Sequence, residues 1–204
     1  MNNDLHGRQD PQAVEANRIL DVALELAHER NNWSDLGFGD LATRCKLSVN
    51  EIRHHYADTN AIANAWFARA LDAMLVNDDN IDALPVSMRL EVIMQRWFDS
   101  LAPFHQVTAQ MLRSKLHAPH IHHWVPTVFD LSRLIQFWRD AAGLRAGGRR
   151  REVEEIVLTG IFLATLGEWC RDQSPGQTKA RSRLRNLLGK AEKSAGIWSG
   201  SNKR

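Results

Sequence analysis

No apolar run in this sequence of 204 residues is long enough to cross a membrane. The longest one, residues 156–166, is interrupted by two threonines and a glycine, and it falls short of the ~20 residues that a spanning helix needs. We therefore expect a buried helix there. No stretch alternates between apolar and polar residues as a β-strand would, so the sequence predicts an all-α protein.

Cysteine is scarce, with only Cys45 and Cys170, and the two lie far apart in the sequence. Residues 1–10 are polar and lack the apolar segment of a secretory signal. We therefore expect reduced thiols in a cytoplasmic protein.

The motifs of catalysis are also missing. The sequence has no glycine-rich phosphate loop, no Gly-x-Ser-x-Gly turn and no His-Glu-x-x-His helix. Glu168 and Asp172 lie four residues apart on a predicted helix, where paired carboxylates are usually solvated. We therefore predict no catalytic residue, no cofactor and no enzymatic activity.

An excess of one charge is absent too, since the net charge is only +2. Residues 1–70 carry −3, residues 71–140 carry −2 and residues 141–204 carry +7. The basic excess therefore lies at the C-terminal end, away from the motif described next. Phosphate contacts normally dominate affinity for DNA, so a DNA-binding role would depend on local positive charge in the N-terminal part.

The most informative segment is residues 41–62, which predicts a short helix, a tight turn, a second short helix and the start of a third. Ser48 followed by Glu51 three residues later predicts a capping box. Leu47, Ile52 and Tyr56 would share one apolar face of the second helix, with polar residues on the other. A short helix held in this way is the geometry that enters a DNA major groove.

This segment resembles the helix-turn-helix of the TetR family of bacterial transcriptional regulators. The residues that match the family pattern are Leu41, Ala42, Leu47, Ser48, Ile52, His55, Tyr56, Asp58 and Ile62. Three positions depart from it. Lys46 stands in place of a turn glycine, and Arg53 and Thr59 replace a tyrosine and a lysine that usually touch phosphates. Arg53, as a long cation, can still serve a phosphate.

The resemblance implies DNA contacts from the polar side of the motif. The candidates are Arg44, Lys46, Ser48, Asn50, Arg53, His54, His55 and Thr59. Asn50 is the expected base reader, because asparagine can pair with adenine through two hydrogen bonds. The alternative is a solvated helix face in a protein that only shares the fold.

Helical periodicity predicts about nine helices. We expect a helix-turn-helix head over 1–58, a connecting helix over 59–80 with Thr59 as its cap, a ligand-binding and dimerisation bundle over 81–196, and a disordered tail over 197–204. Ser174-Pro175 is the expected start of the last helix. This count and order also match the TetR family, which implies a homodimer bound to palindromic double-stranded DNA.

In the family, the last two long helices pair with a second subunit. The candidate interface residues are Gly160, Ala164, Gly167, Leu184 and Leu187. The three small residues recur at positions i, i+4 and i+7, and such a stripe lets helix axes approach closely. Packing within one chain would use the same stripe.

The C-terminal half is rich in large apolar residues that are either core or the lining of a cavity between helices. The candidates for a pocket are Trp97, Phe98, Phe104, Met111, Trp124, Phe129, Phe137, Trp138 and Phe162. The resemblance implies a small apolar or aromatic ligand there that controls DNA binding. The sequence thus predicts a ligand-responsive repressor.

Histidines are concentrated at His117, His120, His122 and His123, with His105 earlier in the chain. Histidine is a common metal ligand, but no acidic residue or cysteine nearby completes a site. We therefore predict a polar loop rather than a metal centre.

A second resemblance is to a lipid-binding accessory family of ubiquinone biosynthesis, which shares the TetR-like fold but does not regulate transcription. The segments 101–105, 137–143 and 172–175 are loosely similar to it. Residues 181–190 combine leucines with arginines, as an interfacial helix at a membrane surface would. The alternative function is therefore a lipid- or isoprenoid-binding protein, with the membrane as a partner.

Overall fold

The computed structural model describes residues 10–76, 80–116 and 124–195, and the side chains of residues 114–130, 194 and 195 fall outside that description. Within these ranges the chain is helical and has no β-strand, which confirms the predicted all-α class. The predicted tail, residues 197–204, lies outside the described residues.

Nine α-helices and two short 3₁₀ turns make up the described ranges. The helices are α1 (Pro11–Glu29), α2 (Phe38–Cys45), α3 (Val49–His55), α4 (Thr59–Met74), α5 (Val86–Leu101), α6 (His105–Leu116), α7 (Trp124–Ala141), α8 (Gly148–Trp169) and α9 (Thr178–Ala195). The 3₁₀ turns are Ala102–Phe104 and Pro175–Gln177.

The chain divides into two compact units. The first comprises Met1–Ala68 and Gln106–Leu112, and the second comprises Arg69–His105 and Arg113–Arg204. The helix-turn-helix lies in the first unit, together with the first part of α4 and the middle of α6. The predicted domain boundaries at residues 58, 80 and 196 stay a prediction.

In the first unit, α1 packs against α2 and α3 around a fully buried apolar core. The middle of α6 is joined to the loop after α1 by Gln110. Its amide accepts a hydrogen bond from the Trp33 backbone N–H (2.7 Å) and donates one to the Asn31 carbonyl oxygen (2.9 Å). Trp66 of α4 donates to the Thr108 hydroxyl at 2.9 Å. These bonds join the middle of α6 to α4 and to the loop after α1.

In the second unit, α9 packs against both α8 and α5. Its apolar side chains Leu184 and Leu188 are each 1% exposed, so they belong to the core of this unit. The prediction that α9 presents an apolar face to a membrane is therefore wrong for Leu184 and Leu188, because packing within the chain already covers these two leucines. No helix of the described residues has the length and apolar character needed to cross a membrane.

Two helix caps differ from those predicted. For α4, Asp58 rather than Thr59 is the cap, because its carboxylate accepts a hydrogen bond from the Ala61 N–H at 2.8 Å. For α9, the carboxylate of Asp172 accepts from the Ala180 N–H at 2.9 Å, so Ser174-Pro175 does not start this helix. Asp172 reaches across the intervening 3₁₀ turn, a distance in sequence that local cap patterns do not cover.

Asp172 is almost fully buried. Burial alone would raise the pKa of its carboxyl group, but hydrogen bonds from the Ser174 hydroxyl and from the Ala180 and Ser174 backbone N–H groups outweigh that effect and lower it. The carboxylate therefore stays ionised at neutral pH and interacts favourably with the positive end of the α9 dipole.

One buried ion pair holds the loop between α7 and α8. The guanidinium of Arg139 donates to Glu154 at 2.9 Å, and both side chains are at most 3% exposed. Arg139 also donates to the Ala146 carbonyl oxygen, and Arg150 donates to the second carboxylate oxygen of Glu154 at 3.3 Å. A buried pair of this kind is costly to break, because the remaining charge loses its partner without regaining water.

We predict that Glu154→Gln destabilises the protein by about 3 kcal/mol, since it leaves the exposed carboxylate of Asp140 as the remaining described counter-charge of the buried Arg139. The melting temperature should fall by roughly 5–10 °C for a chain of this length. The control is Glu155→Gln, which removes a surface pair with Arg151 one position along the same helix. Equal melting temperatures for the two variants would contradict the prediction.

Candidate DNA-binding surface

The N-terminus of α3 carries the capping box that the sequence predicts. The Glu51 backbone N–H donates to the Ser48 hydroxyl oxygen at 3.2 Å, and the Ser48 backbone N–H donates to the Glu51 carboxylate at 2.7 Å. The bond from the Ser48 N–H lowers the pKa of the Glu51 carboxyl group, helped by the Ser48 side chain. Glu51 is therefore ionised at the positive end of α3, where it stabilises a helix of only seven residues.

The inner face of α3 is fixed by packing. Ile52 is fully buried, and the Tyr56 side chain is buried with its hydroxyl donating to the Ala16 carbonyl oxygen of α1 at 3.0 Å. As predicted, the polar residues Asn50 and Arg53 lie on the exposed face. The orientation of α3 against α1 thus determines which side chains point outward.

The turn between α2 and α3 is made by Lys46, which replaces the glycine of the family pattern. Lys46 has φ +55° and ψ +42°, in the left-handed region that favours glycine. Its backbone N–H donates to carbonyl groups at the end of α2, so the turn keeps its hydrogen bonds despite the side chain. The lysine is exposed beside α3.

His54 is exposed on the outer face, and a hydrogen bond fixes the orientation of its ring. Its Nδ1 donates to the Asn50 carbonyl oxygen at 2.8 Å, which leaves Nε2 directed away from the helix backbone. His55 and Thr59 are half-buried, and the Ser48 hydroxyl is occupied by the capping box. Among the eight predicted contacts, the exposed ones are therefore Arg44, Lys46, Ser48, Asn50, Arg53 and His54.

Arg44 is exposed but already has a charged partner within the head. Its guanidinium forms an exposed ion pair with Glu29 at the end of α1. Surface pairs of this kind contribute little stability, so a phosphate can compete for the arginine. The sequence did not indicate this pair, since the two residues lie on different helices.

Two acidic residues of the head form ion pairs with arginines of the same unit. Glu15 pairs with Arg18 at 2.6 Å, and Asp40 pairs with Arg30 at 2.8 Å. In both pairs the hydrogen bond to arginine lowers the pKa of the carboxyl group. Together with the Glu29–Arg44 pair, three carboxylates of the head therefore have an arginine partner, although the net charge of residues 1–70 stays at −3.

Val49 is a further exposed residue of α3 that sequence reasoning missed. It occupies the first position of the helix, next to Asn50, and is 44% exposed. Its position directly after the cap Ser48 was a usable signal, because the first turn of such a helix faces outward. An exposed valine there suits an apolar contact.

The predicted pocket residues do not form one group. Trp97, Phe98 and Phe162 pack ring against ring, with centroids 5.1–6.4 Å apart. Met111 belongs to the first unit, and Trp138 is buried with its indole N–H on the Leu90 carbonyl oxygen. The remaining candidates are the half-buried Phe104, the exposed Phe137, and Trp124 and Phe129, whose side chains are not described.

The predicted dimer residues are also placed differently from one another. Gly160 is exposed, and Ala164, Gly167 and Leu187 are half-buried. Leu184 is buried in the second unit, so it offers no surface to a partner chain.

The histidine cluster His117–His123 lies outside the described residues. His105 is placed at the start of α6, where its Nε2 donates to the Trp169 carbonyl oxygen at 2.6 Å. Over the described part of the chain, no group of three or more histidine, cysteine or acidic side chains could hold a metal ion. Both cysteines are free, and burial raises the pKa of each thiol.

A capped, outward-facing α3 supported by two helices, in an all-α chain, defines a helix-turn-helix protein of the kind that regulates transcription. A TetR transcriptional regulator from Nitrosomonas europaea ATCC 19718 has a similar structure, with a TM-score of 0.78 and 33% sequence identity over 89% of this chain and 98% of that one. The chain belongs to the TetR family of transcriptional regulators, a class of regulators rather than enzymes.

A TetR transcriptional regulator from Rhodococcus sp. RHA1 shares the fold, with a TM-score of 0.63 and 17% identity over 88% of this chain and 97% of that one. No protein-family model and no curated protein sequence matches the chain.

Proposed function

We propose that this protein binds operator DNA as a homodimer and acts as a ligand-responsive repressor. The observation that carries the proposal is the rigid α3, whose capping box and buried Ile52 leave Asn50, Arg53 and His54 exposed together on one face. Side chains on a helix held in this way can reach base edges and phosphates with little loss of backbone conformational entropy. TetR regulators generally bind DNA, which supports the same assignment.

Arg53 is the proposed phosphate contact, in place of the family tyrosine. We predict that Arg53→Ala weakens binding to all duplexes by a similar factor, because a phosphate contact carries no sequence information. The slope of log K against log salt should fall by about 0.9 for each phosphate lost. A mobility-shift titration at several salt concentrations, on a duplex selected by the protein from a random pool, measures both.

The matched control for Arg53 is Arg145→Ala, which removes the same charge from an exposed position in the second unit. It should leave the salt slope unchanged. If both variants lower the slope equally, the effect is one of net charge, and α3 does not contact phosphates. If the intact protein selects no duplex at low ionic strength, the DNA-binding proposal fails.

Val49 and Asn50 are the proposed base readers. Asparagine can pair with adenine, and valine can contact the methyl group of thymine, both in the major groove. We predict that the affinity of Val49→Ala for DNA no longer depends on the methyl group of one thymine in each half-site. Replacing that thymine by deoxyuridine removes one methyl group and should cost the wild-type protein about fourfold in affinity.

The same deoxyuridine substitution should leave the affinity of Val49→Ala unchanged, and this double-mutant cycle isolates the contact. Val14→Ala is the control, because Val14 is a similarly exposed valine on α1 of the same head. If every thymine substitution has equal effects on the wild type and on Val49→Ala, the valine does not read bases.

The homodimer is supported by an apolar stripe on the outer face of α8. Val153, Ile156 and Leu163 are exposed in the single chain, and Gly160 and Gly167 lie between or beside them. The spacing alternates between three and four residues, which is the pattern of a helix that packs along a partner helix. The stripe shares Gly160 and Gly167 with the predicted set, Ala164 and Leu187 stay a prediction, and the buried Leu184 drops out.

Gly160 lies in the middle of the stripe. A Cβ atom at this position would meet no described atom of its own chain within 4 Å, so a larger residue fits the monomer. We predict that Gly160→Leu leaves the chain folded but converts the dimer to a monomer, as measured by sedimentation velocity. Replacing a helical glycine even favours the helix itself.

Gly39→Leu is the control for Gly160→Leu, since Gly39 of α2 also has open space around its Cβ position. It should keep the dimer. A wild-type protein that sediments as a monomer would refute the proposed seam, and so would a Gly160→Leu dimer of wild-type stability.

The proposed ligand response rests on the aromatic core of the second unit, where Trp97, Phe98 and Phe162 are in contact and the tilted ring of Trp169 lies 5.6 Å from that of Phe98. A small apolar or aromatic molecule is the proposed inducer. The membrane-surface function is not favoured, because packing inside the chain covers Leu184 and Leu188 of α9.

A further inference from the structure

Trp169 is a buried tryptophan whose indole N–H has no described acceptor. It is the last residue of α8 and is 1% exposed. By contrast, Trp138 donates to the Leu90 carbonyl oxygen and Trp66 donates to the Thr108 hydroxyl, both at 2.9 Å. Buried donors are nearly always paired, so an unpaired one points to a strained or functional place.

The Trp169 side chain lines a small cavity between α5 and α9. The ring of Phe98 and the side chains of Ala180 and Leu184 form its apolar walls. The cavity has a volume of about 10 Å³, which is at the lower limit for one water molecule. Four of its eight lining side chains are polar, namely Gln95, Asp99, Gln177 and Arg181, although most of the surface that faces the cavity is apolar.

Gln177, the last residue of the 3₁₀ turn Pro175–Gln177, is one of the residues that line the cavity. Gly176 and Gln177 both have left-handed backbones, with φ +64° and +48°, and this conformation is strained for glutamine. Arg181 fastens the turn, because its Nε donates to the Gly176 carbonyl oxygen at 2.7 Å and its guanidinium pairs with Asp99 of α5. The pair with Asp99 is exposed, so it can open at low cost.

We propose that this cavity is the closed form of a ligand site, and that its occupant is a small neutral molecule with a carbonyl or similar acceptor on an apolar body. The acceptor would satisfy the indole N–H of Trp169. The body would lie against Phe98 and Leu184 once the turn has moved. Asp99 and Arg181 at the mouth neutralise each other, which disfavours a charged ligand.

A route from this site to α6 begins at His105. The His105 ring meets the Trp169 ring edge to face, with centroids 4.3 Å apart, and its Nε2 bonds the Trp169 carbonyl oxygen. A ligand that displaces Trp169 therefore displaces the first residue of α6. This regulatory role rests on the proposed function, whereas binding at the site can be tested without DNA.

The test uses protein labelled with ¹⁵N in its seven tryptophans. The indole signal that disappears in Trp169→Phe is assigned to Trp169. Acetophenone should shift this signal saturably downfield and bind several-fold more tightly than ethylbenzene, which has a similar body without an acceptor. Arg181→Ala, with the turn unfastened, should bind acetophenone more tightly than the wild type.

The site is refuted if acetophenone causes no saturable shift in either protein, or if ethylbenzene binds equally well. Melting temperatures give a second, ligand-free check. Trp138→Phe breaks a hydrogen bond and Trp169→Phe breaks none, so Trp138→Phe should lower the melting temperature more. The opposite order would show that the Trp169 N–H is paired in solution.

Operator binding separates the two proposals. If acetophenone binds at Trp169 but the ligand-free protein selects no duplex, the site stands and the regulator proposal fails. If duplex binding is normal while no probe reaches Trp169, the site fails and the regulator proposal stands.

Discussion

The outward face of α3 depends on the hydrogen bonds and apolar contacts that hold this helix at its start and along its inner side. A helix of seven residues is far below the ~12–15 residues at which isolated helices become even marginally stable in water. Ser48 and Glu51 satisfy the free N–H groups at its start, and Ile52 and Tyr56 anchor it on α1. The backbone of the exposed residues between these anchors therefore has few conformations to lose on binding, and the spacing of these residues becomes a fixed property of the fold.

The same support bears on how an acidic head could bind DNA, as proposed above. Net charge describes the field at long range, where salt screens it within ~8–10 Å. At contact distance, the interaction energy depends on individual charged groups. Glu15, Glu29 and Asp40 each have an arginine partner. Glu51 lies at the start of α3 with its charge directed to the Ser48 N–H. What remains exposed on the outer face is Asn50, Arg53 and His54.

The helices and the capping box were predictable because both depend on residues close in sequence. Periodicity predicted about nine helices, and the described residues contain nine. The Ser48–Glu51 pair needs only a spacing of three. Contacts between distant residues were not predictable: Asp172 caps α9 from eight residues away, and Arg44 pairs with Glu29 of another helix. For the same reason the aromatic residues could be counted but not assigned to core or pocket, and Leu184 could not be separated from a dimer seam.

The helix α8 carries apolar side chains on two faces. Its inner face buries Leu158, Phe162 and Trp169 in the second unit, and its outer face carries Val153, Ile156 and Leu163 in the open. A helix that is apolar on both faces is normally buried on both. Glycine at 160 and 167 lets a partner helix approach closely, and a two-fold axis there would pair α8 with its own copy. In the proposed homodimer, two heads related by that axis would read two half-sites, which would supply a selectivity that the seven residues of α3 alone cannot.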